Sequence, residues 1–430
     1  MSDEKGWMRR FIPLWVGQLV SLLGSGLVQF ALVWYLTQQT GSAVVLATAT
    51  LVALLPDVFL GPFAGALVDR WNRKRVMILA DSAVALATLG LVILFWTNDI
   101  QIWHIYVALF VRSLGGIFHW PAMQASTSLM VPEGQLARLA GINQALRGAL
   151  NIAAPPLGAL LMTLLPMYGV LAVDIVTAAI AVGILVLITI PQPKGHVSTL
   201  FTPKQLLKDV VEGARYMAGW PGALQLVGMA ALINFVLAPS GTLMPLFVTK
   251  DLGGGVWHLG ALDSAMGIGV VIGGLLLGVW GGFKRKVYTS LFGVIGIGVG
   301  VILMAAAPKS FFPLAIIAVV VMGMMSPIAN GPLQAIMQSK VAPSMQGRVF
   351  TLINSLCTAM MPISMVVAAP VAEAVGVRGW YWLGGIITVL AGAVGWMMPQ
   401  IRAMEDWQMP EVEPITPEGC APISAIEVTP

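Results

Sequence analysis

The sequence predicts an all-α membrane protein, with twelve transmembrane helices arranged as two pseudo-symmetric six-helix bundles. Hydrophobic residues make up 58% of the 430 residues and charged residues only 10%. In a soluble domain, about a quarter of the residues are charged. A soluble protein could not bury so much apolar surface, but a bilayer accepts it because lipid solvates the outer faces of the helices. The composition therefore excludes a soluble enzyme and a disordered protein.

Twelve apolar runs have the length that a membrane-spanning helix requires, roughly 17–25 residues. The loops between them are mostly short, so neighbouring helices are expected to run antiparallel. With boundaries loose by a few residues, the predicted spans cover 11–36, 43–68, 76–96, 102–130, 139–164, 168–191, 221–249, 257–281, 287–307, 313–339, 348–373 and 379–399.

One longer polar segment, 192–220, separates the sixth run from the seventh. We interpret it as a cytoplasmic linker that contains an amphipathic helix from Pro203 to Gly219. The linker divides the chain into two six-helix bundles, residues 1–191 and 221–403. The tail, 404–430, is rich in Pro and Glu and is expected to be disordered in the cytoplasm.

Basic residues predict the orientation of the helices. If the N-terminus is cytoplasmic, 18 of the 23 Lys and Arg residues fall in cytoplasmic segments and three in outer loops. The other two, Arg112 and Arg147, lie within apolar runs. This bias places both termini in the cytoplasm. The pI of about 9.1 therefore reflects topology signals in membrane loops, and no nucleic-acid partner is expected.

The two halves are similar to each other at a constant offset of 210 residues. Because both halves run in the same direction, we expect a parallel repeat about an axis along the membrane normal. The matching pairs are Lys74 with Lys284, Arg75 with Arg285, Gln124 with Gln334, Ala125 with Ala335, Val131 with Val341 and Arg138 with Arg348.

The most specific motif, Gly-Ala-Leu-Val-Asp-Arg-Trp-Asn-Arg-Lys-Arg at 65–75, lies between the second and third helices. It resembles the signature loop of the major facilitator superfamily, G-x-x-x-D-R-x-G-R-R/K, with Asn72 in place of the usual glycine. In that family the loop latches the two halves on the cytoplasmic side. The alternative is a basic loop that only sets topology. The resemblance implies a gating role for Gly65, Asp69, Arg70, Arg73 and Lys74.

The fourth helix contains Arg112-Ser-Leu-Gly-Gly116, which resembles the family's R-x-x-x-G signature. A charge deep in an apolar span is expensive and indicates a functional site by default. The resemblance implies a role for Arg112 in proton coupling. The alternative is a structural arginine that pairs with Asp69 or with backbone carbonyls.

The fifth helix contains Ala-Ala-Pro-Pro-Leu-Gly-Ala, in which Pro155 and Gly158 stand out. It looks like the G-P-x-x-G-G antiporter signature of drug exporters, with alanine in place of two glycines. Proline and small residues favour a kinked helix that packs closely against its neighbours. Such segments are common in membrane helices, so the signal has modest specificity.

The first helices, from Trp15-Val-Gly-Gln18 onward, are also similar to bacterial macrolide-efflux proteins of the same superfamily. This resemblance implies a major facilitator fold and proton-driven export of amphipathic small molecules, such as macrolide-like antibiotics, from the bacterial cytoplasmic membrane. The alternatives are export of an endogenous metabolite such as a siderophore, proton symport uptake, and a non-transporting membrane scaffold or lipid-handling protein.

Three carboxylates, Asp57, Asp174 and Asp263, lie deep in predicted spans. A carboxyl group removed from water binds a proton more readily, and proton antiport requires a group that changes its protonation. Each is therefore a candidate for proton coupling, with Arg147 as a cation that could hold one of them ionised. A satisfied structural pair is an equally good interpretation for each of them.

Three further polar residues in or near the predicted spans have structural interpretations. Asp81 lies about one turn from the basic loop and is expected to be its partner. His119 follows the helix-four signature and is expected to be a hydrogen-bonded histidine that packs between helices, with a proton relay as the alternative. Glu373, at the outer end of a helix, is expected to be solvated.

The resemblance also implies that the first helix of each three-helix unit lines the substrate cavity. By that correspondence, the cavity candidates are Gln29, Trp120, Met123, Asn234, Asn330 and Gln334. No cofactor is expected, because the proton gradient would supply the energy. The sequence has no phosphate-binding G-x-x-x-x-G-K-[ST] loop, so an ATP-driven mechanism would need a separate ATP-binding subunit. No Cys/His cluster predicts a metal site, and no nucleophilic constellation predicts an enzyme.

Overall fold

The computed structural model describes residues 6–191, 211–212, 214–220 and 222–406. This part of the chain contains 12 helices that are long and apolar enough to cross a membrane, which confirms the predicted all-α membrane fold. The helices are α1 Gly6–Thr40, α2 Ala43–Arg70, α3 Arg73–Thr97, α4 Ile102–Met130, α5 Glu133–Leu164, α6 Met167–Leu187, α7 Ala223–Leu246, α8 Val256–Trp280, α9 Lys286–Ala306, α10 Phe312–Lys340, α11 Pro343–Val375 and α12 Val377–Met397. A π-helical turn, Phe247–Asp251, continues α7, and a short helix, Pro399–Ala403, follows α12.

The predicted spans differ from the helices chiefly where a helix extends beyond its apolar run. Helices α5 and α11 begin at Glu133 and Pro343, several residues before the predicted spans. The helical residues that precede those spans include polar ones, Gln135 and Arg138 in α5 and Gln346 in α11, which an apolar pattern excludes although the backbone is already helical. Hydropathy therefore locates the membrane crossing and misses the polar helical ends.

Short capping loops join neighbouring helices. The Ser42 side chain accepts a hydrogen bond from the Val45 backbone N–H and caps α2. Asn72, which stands where the signature loop has glycine, accepts a hydrogen bond from the Arg75 N–H and caps α3. Its φ of −68° lies in the ordinary negative region. The turn therefore needs no left-handed residue at this position, and asparagine serves as a helix cap.

The two halves pair their helices in the same way. In the first half, α3 packs on α4 and α6, α2 packs on α4, and α1 packs on α5 and α6. In the second half, α9 packs on α10 and α12, α8 packs on α10, and α7 packs on α11 and α12. Most of the predicted linker, 192–210, and the tail from 407 onward lie outside the described residues, so the domain boundaries stay a prediction.

The halves contact each other through α5 against α8 and α2 against α11. The Ser264 hydroxyl donates a hydrogen bond of 2.8 Å to the Ile152 carbonyl oxygen. The Glu373 carboxylate accepts hydrogen bonds from the Ser42 hydroxyl at 2.8 Å and from the Val44 N–H at 3.4 Å. Glu373 is exposed, but it is not merely solvated, because it binds the N-terminus of α2 in the other half.

The apolar packing differs between the two ends of the bundle. We call the end with the α2–α3 and α8–α9 loops the basic end, after Arg75 and Lys284. Each half has its own buried cluster there, around Phe11 and Met77 in the first half and around Trp220 in the second. A larger cluster, which includes Leu46 and Phe247, joins both halves at the opposite end. Among the described residues, the buried core that joins the halves lies at the end opposite the basic end.

Close packing of α8 against α10 depends on glycine. A Cβ atom on Gly273 would overlap the backbone of Met324, whereas one on Gly274 would meet nothing within 4 Å. Replacing Gly273 by valine should therefore destabilise the protein by about 1–3 kcal/mol or more, because the two backbones must separate. Gly274→Val, one residue away, should stay close to wild type. Thermal unfolding of the purified proteins in detergent measures the difference, and equal losses in the two variants would contradict this packing.

Candidate functional site

A cavity of about 370 Å³ lies within the first half. All six helices of that half contribute to its walls, from Trp15 on α1 to Ala178 on α6. Thr127, within the last turn of α4, also lines it, so the cavity extends toward the basic end. It combines apolar and aromatic surface with five ionisable side chains. These are Asp81, Arg112, His119, Arg147 and Asp174.

Arg112 and Asp174 form an ion pair at the base of the cavity. Arg112 Nη1 lies 2.5 Å from Asp174 Oδ2, and their side chains are only 8% and 1% exposed. Arg112 also donates to the Thr88 hydroxyl at 2.8 Å and to the Ser25 carbonyl oxygen at 3.2 Å. The Ser25 hydroxyl donates to the other Asp174 oxygen at 3.1 Å. The pair therefore connects α1, α3, α4 and α6.

A second group of polar side chains surrounds Asp81. The sequence does not predict that they lie together. The Gln18 amide donates a hydrogen bond of 3.2 Å to Asp81 Oδ2. His119 Nε2 lies 3.5 Å from Asp81 Oδ1. Asp81 therefore faces the cavity instead of the basic loop, and His119 lines that cavity beside it. The sequence shows three polar residues in otherwise apolar helices. Whether they meet depends on how each helix is rotated, which cannot be read from the sequence.

Arg147 contacts an aromatic ring. Its guanidinium carbon lies 3.6 Å from the centre of the Trp120 ring, in a cation–π arrangement. Among the described side chains, no carboxylate forms an ion pair with Arg147, so it does not hold Asp57, Asp174 or Asp263 ionised in this structure. Near it, the Trp15 indole N–H donates to Asn143 Oδ1 at 2.6 Å, which fixes another aromatic wall of the cavity.

The basic loop makes contacts within its own half. Arg73 is buried and donates a hydrogen bond of 2.7 Å to the Ala125 carbonyl oxygen, and Lys74 donates to the Val186 carbonyl oxygen at 2.8 Å. Arg70 is exposed. The side chains of Gly65 and Asp69 lie outside the described residues. The loop therefore ties α3 to α4 and α6, and its role as a latch between the halves stays a prediction.

The predicted cavity residues divide between two cavities. Gln29, Trp120 and Met123 line the first. Asn330 and Gln334 line a second cavity of about 320 Å³, in the other half. Asn234 lines neither of these two cavities, because its amide turns back and donates to the Ala230 carbonyl oxygen on its own helix.

Two of the candidate carboxylates lie away from the first cavity. Asp57 is exposed on α2. Asp263 is partly buried on α8, and no described residue gives it a hydrogen bond or an ion pair.

Helix α5 packs closely where the antiporter-like segment lies. A Cβ on Gly158 would meet the Phe30 ring of α1, and one on Gly260 of α8 would meet the Pro155 carbonyl oxygen.

Twelve helices of membrane-spanning length are paired alike in two halves, and a charged cavity lies within the first half; the described part of the chain is thus a multi-pass membrane protein. The sequence pattern of the Major Facilitator Superfamily matches residues 14–361, which is most of the chain. The chain therefore belongs to the Major Facilitator Superfamily, whose members are transporters and not enzymes. This confirms the family indicated by the loop at 65–75.

Relatives match nearly the whole chain. It is 33% identical over 405 residues to Macrolide efflux protein A of Streptococcus pyogenes, a match that covers 94% of this chain and 100% of that protein. It is 25% identical over 393 residues to Multidrug efflux pump Tap of Mycolicibacterium fortuitum, covering 89% and 94% of the two chains. Its fold is similar to that of the nucleoside transporter NupG, with a TM-score of 0.71 at 12% identity, covering 90% and 99%.

The buried ion pair leads to a stability prediction. Asp174→Asn leaves the Arg112 charge buried without its partner and should cost about 3–5 kcal/mol. Arg112→Gln should also destabilise the protein. The double variant should lose less than the sum of the two single losses, because removing both charges relieves the uncompensated one. Thermal unfolding of the four proteins gives the double-mutant cycle, and strictly additive losses would show that the two side chains are not coupled.

Proposed function

We propose that this transporter is a proton-driven exporter of amphipathic small molecules, macrolide-like antibiotics among them. It works by alternating access in the bacterial cytoplasmic membrane, with both termini in the cytoplasm. The observation that carries the proposal is the charged cavity, which extends toward the basic end, whereas the core that the described residues of both halves share lies at the opposite end. The relatives named for macrolide and multidrug efflux support the same direction and substrate class.

The charge of the loops supports a cytoplasmic position for the open end of the cavity. Basic loops favour the cytoplasmic side, so the basic end is the cytoplasmic end. Under this proposal the cavity faces the cytoplasm, and a substrate reaches it from the cytoplasm or from the inner leaflet. Export then requires the halves to separate at the opposite end and to close at the basic end.

The Arg112–Asp174 pair supplies a physical basis for proton coupling. A proton on Asp174 would cancel the carboxylate charge and leave a buried arginine without compensation, which is unfavourable in a low-dielectric interior. The four helices that share this pair would then favour a different arrangement. Protonation and rearrangement are thereby linked, and the rearranged cavity releases its substrate. Asp263, which is partly buried without a partner among the described residues, is the second candidate for the coupled proton.

Cells whose proton gradient has been collapsed provide the direct test of proton-driven export. A protonophore should raise the accumulation of a fluorescent macrolide in cells that make the wild-type protein, because the driving force is lost. Cells that make Asp174→Asn should accumulate the compound at the uncoupled level and respond little to the protonophore. Asp99→Asn, the same change at an exposed loop position, should behave like wild type. Equal accumulation in energised and uncoupled wild-type cells would exclude the proposal.

Alternating access leads to a prediction about Glu373. Its contact with the N-terminus of α2 holds the halves together at the opposite end and must break when that end opens. Such a contact contributes about 0.3–1 kcal/mol, so Glu373→Ala should raise the population of the outward-open state by about two- to fivefold.

A cysteine at Thr50, which contacts Thr242 across the halves at 3.4 Å, reports that opening. In a background in which Cys357 and Cys420 are serine, a membrane-impermeant thiol reagent applied outside the cells should label it faster in Glu373→Ala. Glu373→Gln keeps an acceptor oxygen and should label at an intermediate rate. Identical rates in the three proteins would rule out a closing role for Glu373.

A further inference from the structure

Asp81 differs from the other carboxylate in the first cavity in the charge of its partners. Asp174 is neutralised by Arg112 at 2.5 Å. Asp81 instead accepts a hydrogen bond from the neutral amide of Gln18 and faces His119, which carries a charge only when it is protonated. Its side chain keeps 14% of its surface exposed. Asp81 is thus a carboxylate on the cavity wall without a permanent cation beside it.

The other charged groups around the cavity are already engaged. On α4, which packs against α3, Arg112 pairs with Asp174 of α6. On α5, Arg147 lies over the Trp120 ring. Helix α1 offers Gln18, and the residue of α2 that lines the cavity is Ala53. Of the described side chains on these elements, the one that can add a positive charge next to Asp81 is His119.

His119 can accept a proton at the ring nitrogen that faces Asp81. Its Nε2 atom is buried and makes no hydrogen bond with any described residue, while Asp81 Oδ1 lies 3.5 Å away. A proton bound at Nε2 would face the carboxylate and form an ion pair. A positive charge from another source at the same carboxylate would disfavour that proton, because two like charges would lie side by side.

The position of Asp81 suits a group that enters from the basic end. Asp81 and Thr88, which contacts the Arg112–Asp174 pair, are two helical turns apart on α3, about 10 Å. Because α3 starts at the basic end, Asp81 lies between that end and the buried ion pair. The aromatic side chains of Trp15 and Trp120 line the same cavity and can pack against an apolar body.

We propose that Asp81 is the binding site for a cationic amine on the substrate, and that this amine and a proton on His119 occupy the site alternately. The inference rests on the proposed function for its substrate class, since it states which exported amphiphiles the cavity prefers. A substrate with a protonated amine pairs with the Asp81 carboxylate while its apolar body contacts the aromatic walls. When a proton binds His119, the imidazolium pairs with Asp81 and the amine leaves with its own proton.

Equilibrium binding to the purified full-length protein tests the site. The probes are a macrolide with a tertiary amine and the same macrolide demethylated and acetylated to a neutral amide. Asp81→Asn should weaken binding of the amine probe by at least about tenfold, because a charge pair is lost, and should change binding of the amide probe by less than about twofold. Equal weakening of both probes, or no change in either, would overturn the proposal. Asp99→Asn is the matched control.

The exchange with a proton is tested without changing Asp81. For the wild-type protein, affinity for the amine probe should fall as the pH is lowered from about 8 to about 6, because the imidazolium competes with the amine. His119→Gln should abolish that fall, and the amide probe should show no such fall in either protein. A pH dependence that persists in His119→Gln would overturn the exchange. Binding needs no proton gradient, so if wild-type cells export neither probe, the proposed export fails while these measurements still decide the role of Asp81.

Discussion

Arg112 cannot remain charged in the interior of a membrane bundle without a counter-charge, and Asp174 supplies it. The cost of burying an arginine explains why the pair has further partners, a threonine hydroxyl and a backbone carbonyl, on two other helices. These contacts therefore fix how four of the six helices of the first half are rotated about their own axes. The cavity lies on the side of this pair that faces the basic end. The rotations of the helices that the pair fixes also turn lining residues of α1, α3 and α4 toward one common space.

The polar groups of the first half lie at different depths below the basic end. The Arg112–Asp174 pair lies deepest and is almost entirely buried. Asp81 and His119 lie nearer the basic end and keep part of their surface accessible. A bundle that served only as a scaffold would have no reason to keep a partly accessible carboxylate with neutral partners beside aromatic walls. Under the proposal, this arrangement separates a charge that holds helices together from one that is available to a ligand.

The sequence was sufficient for the helices and the family, because both depend on local features. Spanning length, loop charge and the loop at 65–75 can be read one segment at a time. The pairing of buried charges cannot, because it depends on how each helix is rotated. Nearness in sequence predicts that Asp81 pairs with the basic loop, whereas its side chain meets Gln18, 63 residues away. The need of Arg112 for a partner was foreseeable, but the choice of Asp174 among the buried aspartates was not.

Charge balance connects the proposed substrate class with the proposed energy source. Two arginines and two aspartates line the first cavity, so its formal charge is zero when His119 is neutral. A cationic amine and an imidazolium each raise that charge by one, and in a low-dielectric interior the cavity can hold one of them far better than both. Release of one amine for each proton that binds His119 keeps the cavity charge constant, whereas the proton proposed on Asp174 would raise it by one. Each exchange moves one positive charge in each direction, so no net charge crosses the membrane. Under this scheme it is therefore the pH difference across the membrane that drives export.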